Sequence, residues 1–221
     1  MNLAKPALDI GLYTNQLEPM LAFWQDDAHV AFSELLPLGG GVHQHRHAIG
    51  ESILKVNHPR DPIDPGTPTG LEALTIFDRS TSKSITLEDP DGNRLNLVPA
   101  AGERNLKLHL TTPNLAAQQE FYGEILKLPH ENDHVFVAGT SRIELIEGDL
   151  APFDRGGIGY RYMTFQVFDV VDEHTNILQM GGREGMAPIR LGEVAYISFV
   201  QDADQNWIEI SQRKSITGSL D

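Results

Sequence analysis

The chain has 221 residues, 40% hydrophobic and 22% charged, enough to bury one large core or two small ones. Its formal net charge of −14 argues against nucleic acid and anionic membranes as partners, and the absence of cysteine excludes disulfides, thiol nucleophiles and cysteine metal ligands. The opening MNLAKPALDIGLY lacks an apolar run long enough for a signal peptide, and no segment approaches the ~20 apolar residues of a membrane span, so a cytoplasmic protein is expected.

Residues 8–24, LDIGLYTNQLEPMLAFW, begin with strand alternation, turn at Asn15 and continue as an amphipathic helix ending in the pair Phe23-Trp24. Strands follow near 30–36 and 43–57. Between them Gly39-Gly40-Gly41 reads as a hinge or tight turn, because no lysine–serine/threonine pair follows at phosphate-loop spacing. From His43 to Arg60 the chain carries His43, His45, Arg46, His47, Lys55, His58 and Arg60 against Glu51 alone. Such a local basic patch in an acidic chain suits a small anion, or is a solvated strand face. Strand alternation puts His43, His45 and His47 on one face and Gln44 and Arg46 on the other. Neighbouring histidines ~7 Å apart can reach one metal, with Glu51 or Asp9 as the acid. They equally suit anion binding, proton transfer near an ordinary pKa of ~6.5, or an exposed hairpin. If pairing runs straight back from Lys55 and Asn57, the odd-numbered residues share their face. A bulge at Ala48-Ile49-Gly50 would turn the histidines outward.

The Pro-rich stretch PRDPIDPGTP (59–68) links this segment to a strand at 70–77. Residues 78–83 are too few for a helix. SITLEDPDGNRLNLV (84–98) reads strand, turn, strand, with Pro90 where φ near −65° is wanted and Gly92 where φ is positive. After a linker near 100–104, LKLHLTTPNLAAQQEFY (106–122) repeats the opening segment: Leu8, Leu12, Thr14, Leu17 and Phe23 recur as Leu106, Leu110, Thr112, Leu115 and Phe121. Two short strands, HVFVAG and SRIELIEG, complete a βαβββ unit. Past the loop Asp154-Arg155-Gly156-Gly157, YRYMTFQV and VVDEHTNILQMGG open another, closed by ISFVQDADQNWIEIS (197–211) with its turn at Asp202–Asn206.

Gln119-Glu120-Phe121-Tyr122-Gly123-Glu124-Ile125-Leu126 and Leu87-Glu88-Asp89-Pro90-Asp91-Gly92 resemble the helix motif and closing hairpin of the vicinal-oxygen-chelate (VOC) superfamily, which contains glyoxalase I, extradiol dioxygenases and bleomycin-resistance proteins. The similarity spans residues 8–212. It implies an α+β fold of two tandem glyoxalase-like domains, 1–102 and 103–221. Each is built of paired βαβββ modules forming a curled mixed sheet, and the first lacks its second helix. It also implies a cup in which histidines and glutamates hold a divalent metal that polarises two neighbouring substrate oxygens. The implied chemistry is that of a lyase, an isomerase or a ring-cleaving dioxygenase acting on a carbonyl or aromatic substrate. The alternative is a metal-free ligand-binding or resistance-type protein, and a third class is a regulatory module that kept the fold and lost the site.

Carried over residue by residue, the family's ligand positions fall on Lys107, Glu144, Tyr162 and Glu209 in the second half, and on Asp9, Lys55, Leu71 and Asn96 in the first. Both second-half carboxylates are kept; the usual histidines are not. Three readings of that cup stand side by side. Glu144 and Glu209 hold a metal with His109, which shares the strand face of Lys107; Lys107 replaces the metal between the two carboxylates; or the groups form an ordinary buried polar network. The catalytic candidates are therefore Lys107, His109, Glu144, Tyr162 and Glu209. The ligand-binding candidates are His43, His45, His47, Lys55, Asn57 and Asp9, for a small anionic molecule. Association as a homodimer stays open.

Overall fold

A computed structural model describes residues 1–102, 104–153 and 155–220. Four modules follow one another. The first comprises β1 (Leu3–Tyr13), α1 (Leu17–Ala22), β2 (Ala31–Pro37), β3 (Val42–Ile49) and β4 (Ser52–Pro59). The second has β5 (Leu71–Asp78), β6 (Ile85–Glu88) and β7 (Arg94–Pro99), with turns and no helix at 78–83. The third comprises β8 (Asn105–Thr112), α2 (Leu115–Glu120), β9 (His130–Asn132), β10 (Val135–Ala138) and β11 (Ser141–Glu147). The fourth comprises β12 (Gly159–Val167), α3 (Val170–Gln179), β13 (Arg183–Leu191), β14 (Ala195–Gln201) and β15 (Trp207–Arg213).

In every module the first strand runs parallel to the last: β1 with β4, β5 with β7, β8 with β11, β12 with β15. Modules then join through their first strands, antiparallel, β1 to β12 and β5 to β8. The result is an eight-stranded sheet, β13-β14-β15-β12-β1-β4-β3-β2, and a seven-stranded sheet, β6-β7-β5-β8-β11-β10-β9. The expected class holds: α+β, two mixed sheets of paired modules, one helix missing. The partnership differs from the expectation. The first module pairs with the fourth and the second with the third, so each sheet draws strands from both sides of residue 102. The short connection from β7 to β8 keeps the second and third modules adjacent. Residues 59–68 and 148–158 carry the chain to the other sheet and back.

The sequence repeat is a repeat of detail. α1 and α2 each run into a single π turn opened by the aromatic pair, Phe23-Trp24 and Phe121-Tyr122, with edge-to-face rings 5.3 and 5.2 Å apart. Each turn closes the same way, Val30 N to Trp24 O and Leu128 N to Tyr122 O, after a residue of positive φ, His29 or Lys127. Both closing hairpins use one device. Asp89 accepts the backbone N–H groups of Asp91 and Asn93 and the Asn93 amide; Asp202 does the same with Asp204 and Asn206. Gly92 takes the left-handed position in the first hairpin and Gln205 in the second. Along β1, Leu8, Ile10 and Leu12 enter the core beside Trp24 and Phe165, which leaves Asp9, Gly11 and Tyr13 on the opposite, concave face.

The histidine run faces the other way from the expectation, and no bulge is involved. A two-residue turn, Gly50-Glu51, pairs Ile49 with Ser52, so even residues of β3 oppose odd residues of β4. Gln44 and Arg46 therefore share the concave face with Asn57 and Lys55. His45 and His47 lie opposite Val56 and Leu54 on the core side, and His43 is exposed. His47 is fully buried, with the Phe32 ring edge-on at 5.7 Å and no hydrogen-bond partner on either ring nitrogen among the described residues. Burial pushes its pKa down to about 4. A histidine depressed in this way binds fewer protons folded than unfolded. Its contribution is present above about pH 6.5 and is lost as pH falls toward 4, worth on the order of 3 kcal/mol. Urea unfolding at pH 7 and pH 4.5 should show the native chain losing roughly 2–3 kcal/mol more than His47→Leu; equal losses would place the acid sensitivity elsewhere.

Candidate functional site

The eight-stranded sheet curls around a cavity of about 560 Å³. On its floor the Lys55 ammonium lies 2.7 Å from Glu209 Oε2 and 2.7 Å from Thr164 Oγ1, and Thr164 donates to the same carboxylate oxygen at 2.8 Å. These residues stand on β4, β12 and β15, with β1 between the first two. Three strand spacings on a flat sheet would be ~14 Å, beyond the reach of a lysine and a glutamate, so their contact measures how far the sheet is curled. Gly11 makes room. A Cβ there would sit 2.1 Å from ring carbons of Tyr162, so only glycine lets that ring lie across β1.

Charge is concentrated in this cup. Burial pushes the Lys55 pKa below the ordinary lysine value, while Glu209 and Asp9 oppose the shift. Arg46 and Arg213 flank the pair. Both reach Glu34, at 3.0 and 3.8 Å, and burial lowers the Arg213 pKa with Arg46 adding to it. Arg155 lies over the rings of Phe199 and Trp207, 4.4 and 4.9 Å from their centroids. Lys55, Arg46, Arg213 and Arg155 thus line the cavity against a single lining carboxylate, Glu209. Opposite stand Met186, Ile189, Ile197 and Phe199, an apolar wall. Burial raises the Tyr162 pKa well above its ordinary value, so the phenol is neutral. Its oxygen accepts from Asn57 Nδ2 at 3.1 Å and Gln44 Nε2 at 3.4 Å, which leaves its own proton free to be donated to a ligand.

Gln166, two residues beyond Thr164 on the same strand face, is fully buried and lines this cavity, yet neither its amide nitrogen nor its amide oxygen has a partner among the described residues. A buried amide left in this state is costly unless something else meets it. Past Tyr13, Tyr162 and Arg155 the space opens into a second cavity of about 830 Å³ roofed by Pro62, Ile63 and Gly66. Arg161 pins that roof by donating to the carbonyls of Pro65 and Thr67.

The seven-stranded sheet holds a smaller centre. Lys107 Nζ and His109 Nδ1 each lie 2.9 Å from Glu144 Oε2, and His109 Nε2 lies 2.7 Å from Thr75 Oγ1. Thr75 and Lys107 line a cavity of about 290 Å³. Burial lowers the His109 pKa, and Lys107 lowers it further.

The structure therefore divides the expected catalytic set. Lys107, His109 and Glu144 belong to one cup, Tyr162 and Glu209 to the other, because the third and fourth modules do not share a sheet. The ammonium expected beside both carboxylates is two ammoniums: Lys107 meets Glu144, and Lys55 meets Glu209. Of the expected ligand-binding residues, Lys55 and Asn57 face the large cup, while His43, His45 and His47 do not. Asn57 is occupied in holding Tyr162 and the Leu12 carbonyl. Asp9 is buried, with one oxygen engaged by Lys5 and the Ile53 N–H. Leu71 lies four residues before Thr75, which occupies the position opposite Asn96. Sequence reasoning missed Arg46, Arg155, Thr164, Gln166 and Arg213. Of these only Arg46 carried a signal, its alternation against the histidines; Gly11, a lone glycine within a strand pattern, was the sign of a close approach.

The family's metal does not fit these residues. One oxygen of each carboxylate that would ligate it is already engaged by cations or donors, Glu209 Oε2 by Lys55 and Thr164, Glu144 Oε2 by Lys107 and His109, and Asp9 Oδ1 by Lys5, and among the described residues no group of three or more His, Asp or Glu side chains is placed to hold an ion.

No protein-family model matches the sequence, and no curated protein matches it. Solved structures do match the fold. Glyoxalase I from Zea mays gives a TM-score of 0.74 at 13% identity, covering 96% of this chain and 92% of that one. A variant of the same enzyme gives 0.77 at 14% identity, covering 99% and 97%. The cppA protein from Streptococcus pneumoniae TIGR4 gives 0.58 at 8% identity, covering 96% and 100%. The chain has the vicinal-oxygen-chelate fold, built here of four modules. No helix among the described residues is long and apolar enough to cross a membrane.

Lys55 is 3% and Glu209 12% exposed, so removing either partner strands the other charge. Lys55→Met alone should cost about 3–5 kcal/mol in urea unfolding, whereas Lys55→Met with Glu209→Gln should recover most of that loss. Additive losses would show that the two groups do not depend on each other.

Proposed function

We propose that the eight-stranded cup binds a small organic anion with an apolar, partly aromatic body, held by the chain's own cations in place of a metal. The observation that carries this is Gln166, a fully buried amide on the cavity wall with both polar atoms unpartnered among the described residues. The surroundings fit the same ligand: Lys55, Arg46 and Arg213 for a carboxylate or phosphate head, the Tyr162 proton as a further donor, Phe199 and Ile197 for the body. On an otherwise acidic protein this cation cluster also concentrates small anions at the cup.

Turnover is the second reading, favoured by Lys55. Burial shifts this lysine toward its neutral form, the form that accepts a proton from carbon beside a carbonyl. In that reading Tyr162 donates to the oxygen where charge develops, and Arg46 and Arg213 hold the head group. This is isomerase-like or lyase-like proton transfer without a metal. The glyoxalase I structures support it through fold alone.

Titration calorimetry with benzoate, phenylacetate and phenyl phosphate tests the first reading. Arg46→Gln should weaken binding about 10- to 100-fold, the loss expected for a charge-assisted hydrogen bond, and His45→Ala should leave it unchanged. Gln166→Leu should separate function from stability: the free protein gains about 1–2 kcal/mol as an unsatisfied amide is removed, while affinity falls about tenfold. Equal binding in all three variants would move the site elsewhere. For the second reading, exchange of α-hydrogens of small ketones in heavy water should occur with the native chain and vanish in Lys55→Met.

A further inference from the structure

The seven-stranded cup carries a second constellation that the anion site does not use. Glu144 Oε2 is 2.9 Å from His109 Nδ1, and His109 Nε2 is 2.7 Å from Thr75 Oγ1. With the Glu144 carboxylate ionised and the imidazole neutral, only one arrangement of protons satisfies this chain. His109 donates from Nδ1 to Glu144, which leaves Nε2 as an acceptor for the Thr75 hydroxyl proton. Lys107 Nζ meets the same carboxylate oxygen at 2.9 Å. Asn96 Nδ2 donates to Thr75 Oγ1 at 3.4 Å, and the Asn96 amide is itself oriented by Thr86, which donates to its oxygen at 2.8 Å. Every bond therefore runs in the sense that draws the proton off Thr75. Thr75, Asn96 and Lys107 also line the same cavity of about 290 Å³, and Asn96 and Lys107 are the ladder partners of Thr75 on its two sides.

We propose that Thr75 is a nucleophile, activated by His109 and Glu144, that takes the acyl group of a small ester. An acid–histidine–hydroxyl relay is recognised by roles and geometry rather than by order in the chain. Thr75 Oγ1 bonds to the ester carbonyl carbon as its proton passes to His109 Nε2. Asn96 Nδ2 and Lys107 Nζ stand beside the carbonyl oxygen as it gains charge. The bond to the alcohol oxygen then breaks, that oxygen takes the proton from His109, and the acyl group remains on Thr75. Water attacks the acyl carbon, giving one proton to His109; the threonine oxygen leaves and recovers it. The sum is ester plus water to acid plus alcohol. Burial and Lys107 keep His109 neutral at physiological pH, as its role as base requires; Glu72 and Arg94 are the other charges it feels.

The probe is p-nitrophenyl acetate with the full chain, read by p-nitrophenol release and by peptide mapping in a mass spectrometer. The native chain should carry one acetyl group on Thr75. Thr75→Val, which keeps the shape and loses the hydroxyl, should carry none there and should lose the release above background. Thr75→Ser should retain both. His109→Gln should slow acylation by about 10²- to 10⁴-fold. The native rate should level off by neutral pH, whereas acetylation of surface lysines keeps rising into the alkaline range. Should Thr75→Val fail to fold, Thr75→Ser and His109→Gln decide the question by themselves. Acetyl groups on lysines alone, or release that is equal in the native chain and His109→Gln, would overturn the proposal.

Discussion

One ammonium group allows the eight-stranded cup to exist in its present form. Glu209 projects from β15 into a cavity lined by side chains from all eight strands of the sheet, where an unpaired buried carboxylate is costly. Lys55, arriving from three strands away, meets it at 2.7 Å, and Thr164 completes the contact. The pair draws β4 and β15 toward each other across β1 and β12, so the curl of the sheet and the neutrality of its floor are one constraint. Gly11 is part of the same solution, because a side chain there would push Tyr162 off β1.

From that floor the rest of the cup follows. Lys55 puts a positive charge of the chain's own on the floor of the cup. The charge is now bound covalently to the chain, and its strength depends on burial rather than on ion concentration. Arg46 and Arg213 add to it, with Glu34 holding them in place. The smaller cup also pairs a lysine with a glutamate, Lys107 with Glu144, both considerably more exposed, and adds His109, which contacts both Glu144 and Thr75. The two cups thus differ in the polar groups on their floors.

Much of the architecture was legible in the sequence. The repeat from Leu8–Phe23 to Leu106–Phe121 and the two Asp-led hairpins identified the modules, because each encodes a local geometry: an aromatic pair opening a π turn, an aspartate capping a tight turn. Which modules share a sheet was not legible, because that depends on which first strands meet and leaves no local signature. The error carried into the site. Lys107 and Glu209 were expected together through adjacency in the chain, whereas Lys107 meets Glu144 on the neighbouring strand and Glu209 meets Lys55 from three strands away. The histidines of β3 were misplaced for a smaller reason, the odd count imposed by the Gly50-Glu51 turn. Lys55 and Asn57 were placed on the correct face, since their positions depended only on alternation within one strand. Thr75 and Gln166 gave no signal, because a threonine or glutamine in a strand is ordinary until its neighbours across the sheet are known.

The account rests on Lys55 holding the place of a metal, and cobalt(II) reports directly on that place through its visible absorption when bound by protein ligands. The measurement is a cobalt titration of the native chain and of Glu209→Gln, followed between pH 6 and pH 8. The account predicts that the native chain shows no ligand-field bands above those of the aqueous ion and that Glu209→Gln is indistinguishable from it. Intense bands at one equivalent of cobalt in the native chain, lost in Glu209→Gln, would contradict it.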